Sequence, residues 1–375
     1  MKILLKLLGA LCAALAFGSA LAQGVSGATI SIGQTGALSG PADEIGKEAK
    51  AGVEAYFNAV NEAGGIGGRK LRLVSLDDAG DTDKAKANLL KLATEEGGVL
   101  ALVAVSGDAA LRASWGLFEK TKLPLIGSLS GEPSLFETHN RYIINLRASY
   151  AQEAERIVDQ LAQRKITKIA LFYQNDALGR GGLAAVDAAL RARKSSIVLF
   201  GSVDRNSTNV ATAAQNLHKS GAEAVIISAG ARPAAAFVRE IKKLGSQAQL
   251  FALSSVGAKA FAAQAGDDGR GVGVSQVMPL PTAESEALTR EYIKHIGGLA
   301  NVSFASLEAY VAARILVEGI RKSGKVPTRE SLIDALDKAG TIELGGYRVK
   351  LGPTAHNGSD RVELTVLGAQ GLYRR

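Results

Sequence analysis

Residues 29–78 read TISIGQTGALSGPADEIGKEAKAGVEAYFNAVNEAGGIGGRKLRLVSLDD, and their order decides the fold. Thr29–Gly33 and Leu71–Asp77 are short β-rich runs. Between them Ala49, Val53, Tyr56, Phe57 and Val60 recur at i, i+4, i+7, i+8 and i+11, one face of a helix. The glycines of Gly64-Gly65-Ile66-Gly67-Gly68 follow that helix and precede the second strand. A pyrophosphate cradle requires the reverse order, so this is a helix-ending turn.

The same alternation continues outward. Further strands are predicted at Val99–Val105, Leu123–Gly127, Lys168–Tyr173, Ser196–Gly201, Ala224–Ser228 and Gln249–Leu253. Asp81-Thr82-Asp83 offers the next helix an N-cap and Gly97-Gly98 a stop. Strand–helix alternation on this scale implies an α/β protein with mostly parallel sheets covered on both faces. After Gly271–Val277 the pattern changes to three helices, Ser285–His295, Phe304–Lys322 and Arg329–Lys338. Strands follow within Thr341–Leu351 and Asp360–Leu367, with a turn at Gly345-Gly346. At 375 residues the chain is long enough for two domains. No low-complexity linker separates them, so short crossings must join them, with Asn145–Tyr150 and Val274–Met278 the candidates.

Residues 1–22, MKILLKLLGALCAALAFGSALA, read as an export signal: Lys2 and Lys6, an apolar run from Ile3 to Phe17, and a small-residue cleavage site ending at Ala22. The apolar run is too short to span a bilayer. The one cysteine, Cys12, leaves with this segment, so the mature chain has no disulfide and depends on a conventional core. It keeps 42 basic residues (44 less Lys2 and Lys6) against 36 acidic, without blocks of like charge. That distribution reads as solvated helix faces and excludes nucleic acid as a partner.

Open α/β sheets bind ligands beyond the carboxyl ends of their strands, where helix N-termini present free N–H groups. Small and polar residues gather at those points: Leu38–Pro41, Asp77-Asp78, Ser106-Gly107-Asp108 and Ser128–Gly131 in the first half. Gln174-Asn175-Asp176, Ala229-Gly230-Ala231 and Ser254–Gly257 hold the same places in the second. They do not compose a catalyst. His139, His218, His295 and His356 lack metal-ligand spacing, and Gly127–Gly131 carries serines at its second and fourth positions, where a nucleophile elbow needs the third. No catalytic residue, metal or cofactor is expected.

Four stretches, TGALSGPADEIGKEAKAGVEAYFNAVNEAGGIGGRKLRLVSLDDAGDT, LPLIGSLSGEPSL, YIINLRASY and YQNDALGRGG, carry a family likeness over essentially the whole mature chain. The chain resembles the periplasmic solute-binding proteins of branched-chain amino acid ABC transporters, the type I binding-protein fold. The resemblance implies two Rossmann-like lobes joined by three hinge crossings, residues 23–145 with 277–342 and residues 148–274 with 346–375. It implies a monomer in the periplasm that closes on a small-molecule ligand and is then recognised by an ABC permease in the inner membrane. A sensory receptor would use the same closed form; an exported hydrolase or reductase is the alternative from another class.

By position, the resemblance places ligand contacts at Ser106, Gly107, Asp108, Leu129, Ser130 and Gly131 in the first lobe, with Ile45 where an aromatic residue is often found. Ser149 and Tyr150 in the crossing, Asn175, Asp176, Gly230, Ala231 and Ser255 in the second lobe, and Phe304 as an apolar wall complete the set. Asp108 falls where family members place a hydroxyl near the ligand carboxylate. An ionised Asp there would repel it by about 4 kcal/mol at 4 Å with an effective dielectric near 20. Asp108 either contacts ligand or caps the helix that follows. The family's acidic partner for a ligand ammonium falls near Ser255, and its tyrosines fall near Ala231 and Leu178. A buried ammonium needs a compensating partner; the candidates here are Asp108, Asp176 and Glu132.

Overall fold

The computed structural model describes residues 23–95 and 97–375; the expected leader, 1–22, lies outside the described residues. The first half alternates β1 (Thr29–Gly36), α1 (Glu44–Glu62), β2 (Lys70–Asp77), α2 (Thr82–Thr94), β3 (Ala101–Val103), α3 (Asp108–Ala113), α4 (Trp115–Thr121), β4 (Leu125–Ile126), α5 (Ser134–Glu137) and β5 (Ile143–Ile144). The second half runs α6 (Tyr150–Gln163), β6 (Ile169–Gln174), α7 (Ala177–Arg191), β7 (Phe200–Val203), α8 (Ala211–Lys219), β8 (Ala224–Ser228), α9 (Ala231–Lys243), β9 (Gln249–Ala252), α10 (Ala258–Ala265) and β10 (Gly273–Gln276). Three helices follow, α11 (Ala287–His295), α12 (Phe304–Lys322) and α13 (Arg329–Asp337). The tail consists of β11 (Gly340–Glu343), β12 (Arg348–Leu351), β13 (Glu363–Leu367) and β14 (Tyr373–Arg374).

These strands form two separate sheets and one hairpin. The first sheet has order β2-β1-β3-β4-β5 and is parallel throughout, with Thr29 opposite Lys70 and Gly36 opposite Asp77. The second has order β14-β13-β10-β9-β8-β6-β7; only the pairs made by β13 are antiparallel. The fold is thus α/β with mostly parallel sheets. The apolar stripe read from residues 49–60 is buried, and α1 packs along α12 over the first sheet. Asp81 accepts the amide of Lys84 as the cap of α2.

Some boundaries shift for identifiable reasons. The run expected at Ser196–Gly201 pairs as β7 at Phe200–Val203. It is an edge strand held only by β6, with Phe200 more than half exposed, so burial does not fix its register. The tail also divides differently from the expected 346–375. Tyr347, Val349 and Leu351 belong to the core around the first sheet, because β12 pairs with β11 and buries its apolar alternation there. The chain reaches the second sheet only after residues 356–358, where the Asn145 amide donates to the His356 carbonyl and the Gly358 amide to the Asn145 carbonyl.

Three passages therefore run between the sheets: from β5 to α6, from β10 into Val277 and Met278, and from β12 to β13, the first and third lying side by side. A buried charge cluster sits at the first. Arg147 Nη2 donates to Glu153 Oε1 on α6 at 2.7 Å, and its Nη1 to Glu308 Oε1 on α12 at 3.4 Å. Glu153, fully buried, also accepts the Ser254 amide at 2.8 Å and the Ser275 hydroxyl. Burial works against the Arg147 charge, yet Glu308 and Glu153 beside it hold the guanidinium above its ordinary range. Burial pushes the Glu308 carboxyl up to about 7 despite Arg147.

Candidate functional site

Between the carboxyl edges of the two sheets lies a cavity of about 210 Å³. Its first wall comes from the loops after β1, β2, β3 and β4; its second comes from the loops after β6, β7, β8 and β9, with Tyr150 closing the hinge end. This is the position that parallel sheets leave open, because helix N-termini and strand ends converge there.

On the first wall, Gly107 adopts φ 112°, a region that disfavours a Cβ, and so turns the chain from β3 into α3. That turn presents Asp108, whose Oδ2 accepts the Tyr150 hydroxyl across the cleft at 3.0 Å. Asp108 is the first residue of α3, Gly107 occupies the cap position, and Asp108 makes no capping bond among the described residues. Burial pushes its carboxyl up, opposed by the Ser130 and Tyr150 hydroxyls and by Arg147. Asp78 is likewise buried and raised; it accepts the Gly80 amide at 2.8 Å and the Thr35 hydroxyl at 3.0 Å. Asp77, outside the cavity, is held down to about 2 by the Ser39 hydroxyl and the Leu38 and Ala79 amides, which fixes the loop after β1.

On the second wall, Asp176 caps α7 through the Gly179 amide at 3.1 Å, and Gln174 Nε2 donates to its Oδ2 at 2.5 Å. Arg205 Nε lies 3.5 Å from the same oxygen. Gln174 Oε1 in turn accepts the Asn206 amide, so the strand-end loops of β6 and β7 are tied together. The neighbouring α9 begins after Gly230 with no side-chain cap. Ser255 is buried, and its Oγ has no hydrogen-bond partner among the described residues.

At the outer rim the walls touch. Arg205 Nη2 donates to the Gly80 carbonyl at 2.6 Å, Gln264 Nε2 to Glu44 Oε1 at 3.0 Å, and the Ile45 side chain approaches Gly257.

Of the positions expected from sequence, Ile45, Ser106, Gly107, Asp108 and Leu129 line the cavity from the first wall. Tyr150, Asp176, Gly230, Ala231 and Ser255 line it from the second. Five do not. Ser130 is fully buried beside Asp108 and accepts the Glu132 amide. Gly131 lies under the Tyr150 ring, where a Cβ would come within 2.4 Å of it. Ser149 is spent in the capping box of α6. Asn175 is exposed and accepts from Arg180. Phe304 meets Tyr373 edge-on at 6.0 Å, away from the cavity. Among the candidate ammonium partners, Glu132 also lies outside, 3.5 Å from Arg112. No local pattern marks Arg205 and Asn206, which also line the cavity and follow an edge strand in a loop without periodicity; Asp78 stands out in the sequence only as part of a loop.

Residues 29–371 match the family described as periplasmic binding protein. The chain is 25% identical over 343 residues to the Leu/Ile/Val-binding protein homolog 3 of Brucella melitensis, covering 90% of each. A substrate-binding periplasmic protein from Ralstonia solanacearum superimposes with a TM-score of 0.85 at 33% identity, covering 92% of this chain and 99% of that one. A possible leucine/isoleucine/valine-binding protein from Rhodopirellula baltica gives 0.85 at 30%, covering 94% and 96%. Two sheets meeting at a cavity, matched along nearly the whole length, place this chain in the periplasmic binding protein family, in the type I branch of the branched-chain amino acid binding proteins.

Proposed function

We propose that the protein is exported, its leader cleaved after Ala22, and works in the periplasm as a monomer that captures a small polar or amphipathic metabolite, an amino acid or related compound. The ligand is enclosed between a first lobe (23–145 with 277 to about 358) and a second (148–274 with the remainder of the tail), and the closed form is delivered to an ABC permease in the inner membrane. The observation that carries this reading is the cavity itself, lined by both walls and shut at its rim by contacts that cross between them. Such an arrangement requires no bond chemistry. Its output is a population shift, because only a ligand touching both walls favours the closed form.

The test is thermal unfolding with small-angle scattering across a panel of amino acids, hydroxy acids and aromatic acids. A ligand at a hundred times its Kd should stabilise the fold by about 2.7 kcal/mol and make the scattering profile more compact. A panel that moves neither quantity overturns the reading.

A further inference from the structure

The two walls of the cavity differ in charge. Among the described residues the first contributes four carboxylates, Glu44, Asp78, Asp81 and Asp108, and neither lysine nor arginine. The second contributes one acid, Asp176, and one base, Arg205, and these lie against each other at 3.5 Å. An anionic group entering the cavity therefore meets like charge on one side and a neutral surface on the other.

The neutral wall is also built to receive one. Helix α9, thirteen residues long, opens directly into the cavity at Gly230-Ala231. Its first intrahelical bond is the Ala234 amide to the Gly230 carbonyl, so the amides of Ala231 and Arg232 lie ahead of the helical ladder. The adjacent α7 has its first turn satisfied by the Asp176 carboxylate, whereas α9 has glycine at the corresponding place and no side-chain cap. Beside α9, in the turn after the neighbouring strand β9, Ser255 is 8% exposed and its Oγ has no partner among the described residues. A buried hydroxyl without a partner costs stability unless something else supplies one. Across the cavity, Asp108 already accepts the Tyr150 hydroxyl and presents an acceptor to whatever lies between the walls.

Resting on the solute-binding reading, we infer that the ligand is a small carboxylate carrying a hydrogen-bond donor, ammonium or hydroxyl, at its other end. Its carboxylate sits on the second wall against the first turn of α9 and Ser255 Oγ, and its donor end faces Asp108 on the first wall. The apolar side chains that also line the cavity, Ile45, Leu129, Leu178 and Val256, fit an uncharged body.

The test measures melting temperature and affinity for 4-hydroxybenzoate, 4-aminobutyrate and 5-aminopentanoate, which carry the donor at the far end, for benzoate, which has none, and for the proteinogenic amino acids and lactate, which carry it beside the carboxylate. Each is measured beside its primary amide and its decarboxylated counterpart. Binders should carry a carboxylate and lose at least about tenfold in affinity as the amide, as expected for a hydrogen bond to a charged group. Ser255→Ala should weaken the best binder by about tenfold while leaving the ligand-free melting temperature equal or higher, because it removes an unpartnered hydroxyl. Ser255→Glu should abolish carboxylate binding. Amides binding as well as acids, or Ser255→Glu strengthening amino-acid binding, overturns this orientation and leaves the solute-binding reading standing. A panel without any shift overturns both.

Discussion

The hinge and the rim both join the lobes, but they are made of opposite materials. At the hinge, Arg147, Glu153 and Glu308 are almost wholly removed from water and bonded to one another and to Ser254 and Ser275. At the rim, Arg205 is about half exposed and donates to one carbonyl across the cleft, while Gln264 donates to one half-buried carboxylate. Buried charges cost much to separate, whereas exposed pairs contribute about 0–1 kcal/mol. The difference suits the clasp proposed above, in which the pivot stays joined and the rim is the part that opens.

The largest expected effect comes from removing the pivot's cation. Arg147→Ala leaves Glu153 and Glu308 buried together without a counter-charge, and loss of one partner from such a cluster costs about 3–5 kcal/mol. Urea unfolding should show a midpoint lowered accordingly. A midpoint unchanged by Arg147→Ala would mean that the cluster is no more than another surface pair, and the contrast with the rim would fail.

Glu308 sharpens the same contrast through pH. Its folded carboxyl titrates near 7, above its unfolded value, so the folded state holds the proton more tightly. The stability it contributes is present at low pH and lost as pH rises from the unfolded value through about 7, an amount of about 3 kcal/mol. Glu308→Gln keeps the neutral shape and removes the titration. Unfolding free energies at pH 5 and pH 8 should therefore fall less in the variant than in the parent. Equal slopes would show that Arg147 holds Glu308 ionised throughout.

What could be read in advance follows the physics of each level. Periodicity shows the alternation of strands and helices, and the ends of parallel strands show where a cavity must lie, so ten of the fifteen expected positions line it. Side-chain direction was less legible. Gly107-Asp108-Ala109 has the composition of a capped helix start, but glycine at φ 112° occupies the cap position and turns the carboxylate inward. Ser149 has the opposite fate, a polar residue in the crossing consumed by Gln152. The hairpin 340–351 announces its turn without saying which core takes its apolar face. Arg205 carries no local signal, because its contact is with Gly80, 125 positions away, and no periodicity encodes such a pairing.

Arg205 gives the smallest effect on stability and the most pointed test of the rim. Its side chain is exposed and its contact with Gly80 exists only while the walls meet, so Arg205→Ala should change the ligand-free unfolding free energy by no more than about 1 kcal/mol. Removing an interaction made in only one of two conformations shifts their balance by the energy of that interaction. Ligand-free scattering should therefore move toward a more extended profile, and affinity for any ligand that requires closure should fall severalfold. Affinity and scattering both unchanged would assign the closing free energy to the ligand and Tyr150–Asp108 alone. A large loss of stability would instead make the rim a second pivot, and the protein a body that cannot open to release what it holds.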